Sequence, residues 1–211
     1  MTFFLIAGMP VFFIVILHVF FSGSFYGREL LAPLGKGALW FFPCCILYAL
    51  FSDLFPVGYD PLSVYFLRTS LDLAFPFFFC LASGIFTCRR QKSGARELFL
   101  HMAAFFTGFF TLFAQYVRLV FPAWYGEYLY FLLPLLWMSM TVFCAFLLPL
   151  SFFCFGFIRF LFFAVLLFVP FAMGTVPLLY VMNYRVYACI AAAAFFALPL
   201  ALLFIFPPPE N

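Results

Sequence analysis

The sequence has very little charge. Ten Lys and Arg and seven Asp and Glu make up 8% of its 211 residues, whereas a soluble domain carries about 25%. So few charges cannot clothe a water-facing surface, which excludes a soluble globular fold and leaves lipid as the solvent for most outward-facing side chains. The net charge of +3 is small and dispersed, which excludes nucleic acid as a partner held by a basic patch. No Gly-x-x-x-x-Gly-Lys loop, His-Glu-x-x-His pair or paired-aspartate metal motif occurs, and the last apolar run has no lysine to hold retinal. These absences remove an ATPase, a zinc protease and a rhodopsin. The cysteines, Cys44, Cys45, Cys80, Cys88, Cys144, Cys154 and Cys189, include no Cys-x-x-Cys pair and lie mostly in apolar runs. They read as small buried hydrophobes rather than a metal or disulfide set. No cofactor, metal site or catalytic constellation emerges, and no internal repeat supports an inverted-repeat transporter.

Apolar residues are abundant: 69% are hydrophobic and forty are Phe. A membrane span takes about 20 apolar residues. The runs predict an all-α bundle of seven spans near 2–22, 38–55, 65–87, 98–119, 129–150, 160–181 and 187–206, forming one polytopic domain over 1–211. Polar, Gly and Pro residues punctuate the runs. Breaks are expected at Gly23 to Gly37, around Asp53 to Pro61, at Arg89 to Glu97, at Pro122 to Glu127, from Pro149 to Arg159, and at Asn183 to Arg185.

Cytoplasmic loops retain Lys and Arg. Placing the Arg89, Arg90, Lys92 and Arg96 loop inside puts Arg28, Lys36 and Arg159 inside as well, and only Arg68, Arg118 and Arg185 outside. The first end is then external and the last cytoplasmic. Residues 2–22 are expected to be an uncleaved span, because no Lys or Arg precedes the run as a signal peptide requires. Small-residue stripes, Ala193/Ala197/Ala201 on the last helix and Gly23/Gly27 on the first, suggest close helix approach. The short loops suit a bacterial inner membrane. The basic loop would also attract anionic membrane lipid.

Ionisable groups at membrane depth are costly and therefore informative. Asp72 lies about six residues inside the third run, roughly 9–10 Å below its outer boundary at ~1.5 Å per residue. Arg68, four residues earlier, shares its helical face and either neutralises it while reaching outward or joins it in a cation, proton or substrate site. Asp53, Gln115, Arg118, Glu127, Asn183 and Arg185 collect at the same outer level, with Tyr116, Trp124, Tyr125, Tyr128 and Tyr130. Three guanidiniums there would suit a small anionic or zwitterionic solute. An ordinary interfacial belt of aromatics and arginines is the alternative.

Two further constellations carry less. His18 and His101 sit at similar inner depth, as a bis-histidine haem would need, and Ser83 with His101 invites a serine–histidine dyad. No Gly-x-Ser-x-Gly surrounds Ser83, and a membrane-helix serine commonly bonds its own backbone. The expectation is therefore a small non-catalytic permease or a solute- or lipid-binding subunit. Its ligand-binding residues are Asp72, Arg68, Arg118, Arg185 and Gln115, and a partner membrane or cytoplasmic protein is expected. A structural or assembly subunit, an intramembrane enzyme and a haem protein are the alternatives.

Overall fold

The computed structural model describes residues 27–54, 60–88, 95–120 and 132–205. The expected first span, 2–22, lies outside them together with His18, as do Glu127 and the aromatics Trp124 to Tyr130. All regular structure among the described residues is helical. Helix α1 is Gly27–Leu54. Helix α2 is built from three consecutive segments, Pro61–Ser63, Val64–Ala74 and Phe75–Cys88, the middle one π-wound. Helix α3 is Ala95–Val120, α4 is Leu133–Phe153, α5 is Gly156–Met173, α6 is Thr175–Val181 and α7 is Arg185–Ile205. With α5 and α6 joined through Gly174, six helices are long and apolar enough to cross a membrane. The chain is thus a multi-pass helical membrane protein.

Two breaks differ from the sequence expectation. Residues 27–37, expected in a loop, form the first turns of α1. Gly37 is no helix breaker here. It is buried against α3, where a β carbon would collide with the Phe105 carbonyl oxygen. Gly108 on α3 returns the arrangement against the Leu34 carbonyl. Each helix thus offers a glycine to the other's backbone, as membrane helices do where dispersion rather than the hydrophobic effect drives contact. The expected Pro149 to Arg159 break shrinks to Cys154 and Phe155. Pro149 is carried inside α4, and Gly156 opens α5 at φ +63°, a left-handed conformation that glycine adopts without steric cost. The α6–α7 turn falls at the expected place, with Asn183 at φ 64°, a value asparagine tolerates.

Ring contacts fix helix directions. Trp40 meets Phe79 and Phe86 while Phe51 meets Phe75, so α1 and α2 run antiparallel. Phe41 and Tyr48 both meet Tyr116, above the Gly37 and Phe105 crossing, so α1 and α3 run parallel. The core is aromatic: Phe105, Phe106, Phe109, Phe110 and Phe113 of α3 are fully buried. Phe109 stacks on Phe113 at 6.1 Å, and Phe113 meets the Trp137 ring edge-on at 5.4 Å, favourable geometries for ring quadrupoles. The Ala193/Ala197/Ala201 stripe is exposed. The buried face of α7 carries Ala188, Ala192, Pro199 and Leu203 instead, because the α7 contacts with α4 and α6 fall on the neighbouring face.

Candidate functional site

The site grows from one proline. Pro76 has no N–H, so it cannot serve the carbonyl of residue 72, four positions earlier, and in α winding its ring would press on that carbonyl. The chain responds over Val64–Ala74 by winding wider: the Phe75 N–H donates to the Ser70 carbonyl, five residues back. Such π segments are rare and concentrate at functional sites. The Asp72 carbonyl, to which Pro76 offers no N–H, accepts from the indole Nε1–H of Trp137 at 3.1 Å. A neighbouring helix thereby satisfies a backbone group that lipid could not.

The side chain of Asp72 is almost wholly buried, at 1% exposure, and its Oδ1 accepts from the Tyr48 hydroxyl at 2.7 Å, a short bond of the charge-assisted length. Tyr48 is itself fixed edge-on against Phe113 at 5.3 Å and against Tyr116 at 6.2 Å. Three helices therefore converge on one residue: α1 through a hydroxyl, α4 through an indole, and α2 carrying the carboxyl. Tyr48 stands six positions before the end of α1 and Trp137 four positions after the start of α4. At ~1.5 Å per residue, the carboxyl sits roughly 6–9 Å below those helix ends.

On another face of the same π segment lies Thr69, at 1% exposure. Its Oγ1 has no hydrogen-bond partner, and its side chain fills the place where a β carbon of Gly174 would stand. Tyr65 joins the same region, donating from its hydroxyl to the Phe171 carbonyl at 3.2 Å.

The chain matches no family model, no curated protein and no solved structure.

The expected site residues fall into three groups. Asp72 is central. Arg185, exposed at the start of α7, lies over the Tyr180 ring at 5.6 Å, a cation–π contact, and Gln115 is half-buried beside Tyr116 on α3. The side chains of Arg68 and Arg118 lie outside the described set. Of the remaining candidates, Ser83 is buried and donates to the Cys80 carbonyl at 3.0 Å, while His101 is half-buried with Nδ1 unpartnered. Tyr48, Trp137 and Thr69 are the site residues that sequence reasoning passed over. The available signal was Pro76, placed four residues after a membrane-depth aspartate.

Proposed function

We propose that the chain is a small non-catalytic permease or solute-binding membrane subunit whose ligand engages Asp72 from the outer side of the bundle. On this reading it has seven spans, the first end external and the last cytoplasmic, in a bacterial inner membrane. The observation that carries the reading is a carboxyl at 1% exposure inside an apolar bundle, accepting from the Tyr48 hydroxyl. A carboxyl at that depth costs several kcal/mol, and a hydrophobic residue of similar size would close the core more cheaply.

A small zwitterionic solute fits best. Its cationic group would meet Asp72, and its anionic group would face Arg68, Arg118 and Arg185, with Gln115 between the two ends. A short-looped bundle of this kind would work with a partner membrane or cytoplasmic protein, an analogy from architecture. One observation favours a second reading as a structural or assembly subunit: Tyr48 and Trp137 also tie α1 and α4 to α2 through Asp72.

Asp72→Asn separates the two, because asparagine keeps an acceptor for Tyr48 and leaves the Trp137 bond to the backbone untouched. Purified wild type is screened by thermal shift against the common zwitterionic amino acids and choline. The permease reading expects a stabilising probe whose shift Asp72→Asn abolishes, at least tenfold weaker binding, with the unliganded melting point retained. Wild-type stabilisation that survives Asp72→Asn and Arg118→Ala would remove the proposed site.

A further inference from the structure

The π segment holds an internal contradiction that points to a second state. Nine hydroxyls in ordinary helical turns, those of Ser52, Ser83, Thr87, Thr107, Thr111, Ser139, Thr141, Ser151 and Thr175, donate to a carbonyl three or four residues earlier. That is the common fate of Ser and Thr in membrane helices. Thr69, at 1% exposure, is more deeply buried than most of them and has no such bond. The wide winding supplies the reason, because it moves the carbonyl of Tyr65 out of its α-helical position relative to Thr69.

We propose that Val64–Ala74 is a two-state element that exchanges between π and α winding, and that this exchange moves Asp72 on and off Tyr48. In the π state Asp72 is held by Tyr48, Tyr65 is held by the Phe171 carbonyl, and Thr69 is wedged against Gly174. In the α state each hydrogen-bonded turn holds one residue fewer, so the segment turns about its axis relative to the helix beyond Pro76. The Thr69 hydroxyl then regains the Tyr65 carbonyl, and Asp72 leaves the Tyr48 hydroxyl. The unsatisfied hydroxyl favours the second state, and the bonds of Asp72 to Tyr48 and of Tyr65 to Phe171 favour the first.

Gly174 is where the partner helix would yield. It separates α5 from α6, with Pro170 and Pro177 on either side, and neither proline offers an N–H to lock the turn. Anything that binds one winding better than the other shifts the balance. The element stands whether or not a zwitterion is what binds at Asp72.

Two spin labels on α2 read the exchange directly. Ser70 and Phe86 are both exposed and lie on opposite sides of Pro76, so a Ser70→Cys/Phe86→Cys pair reports the winding between them. A Phe86→Cys/Ala193→Cys pair, exposed and outside the segment, is the control. Distances are measured in phospholipid nanodiscs with the accessible native cysteines replaced. Two distances are expected for the first pair. The minor one should grow about three- to tenfold with Tyr48→Phe, the weight of one hydrogen bond, and shrink comparably with Thr69→Val, which removes the unsatisfied hydroxyl at constant shape. The control pair should hold one distance throughout. A single Ser70/Phe86 distance that Thr69→Val leaves unchanged overturns the proposal, and so does a control distance that moves in step with it.

Discussion

At the scale of single residues, the contacts around Asp72 make separable demands. The indole of Trp137 donates to a carbonyl that Pro76 cannot serve, so Trp137→Phe, which removes that donor and leaves a small void where the larger ring stood, should destabilise the protein by about 1–3 kcal/mol. A denaturant midpoint in detergent measures this. Glycines offer a sharper contrast. A β carbon at Gly108 would strike the Leu34 carbonyl, whereas one at Gly35 meets nothing within 4 Å. Gly108→Ala should therefore cost about 1–3 kcal/mol or more through overpacking, while Gly35→Ala should be neutral or raise stability by up to about 1 kcal/mol through helix propensity. Thermal melts of the two variants side by side decide the matter. Asp72 was legible in the sequence because a carboxylate inside an apolar run stands out. Tyr48 and Trp137 were not, because in a chain with 26% aromatic residues one more ring in an apolar run carries no distinguishing mark. Their polar atoms matter only once three helices meet.

At the scale of elements, the winding of α2 should follow from Pro76. Pro76→Ala restores an N–H to residue 76, which can then bond the Asp72 carbonyl in ordinary α fashion. The loss caused by Trp137→Phe should accordingly shrink by at least about 0.5 kcal/mol in the Pro76→Ala background, a coupling well within reach of a double-mutant cycle. Strict additivity would mean that the proline and the indole do not share that carbonyl. Apolar runs predicted the helices well in their middles and poorly at two ends, for one physical reason. Glycine and proline punctuate chains in water, but inside lipid they are also packing devices and tolerated kinks. Gly37 and Pro149 sit inside helices for that reason. The small-residue stripe on α7 failed differently: Ala193, Ala197 and Ala201 have the right spacing on the exposed face, and spacing alone does not choose which face a neighbour occupies.

At the scale of the whole molecule, helix direction and charge agree. With α1 antiparallel to α2 and parallel to α3, the first turns of α1 and α3 lie at one end of the bundle. Lys36 and Glu97 are exposed near it, and the Arg89 to Arg96 stretch connects α2 to α3 there. The Asp72 site lies towards the opposite end, where Tyr48 and Trp137 approach their helix termini. On the proposed orientation the arginine-rich end is cytoplasmic, as the positive-inside rule expects, and a ligand would approach Asp72 from outside. The most direct test of this arrangement is a membrane-impermeant maleimide applied to intact cells carrying single cysteines at Lys92 or at Tyr184, which is exposed in the α6–α7 turn. Labelling of Tyr184→Cys without permeabilisation, and of Lys92→Cys only after it, is the predicted result. Lys92→Cys labelled in intact cells, with Tyr184→Cys protected, would turn the bundle over and place the path to Asp72 on the cytoplasmic side.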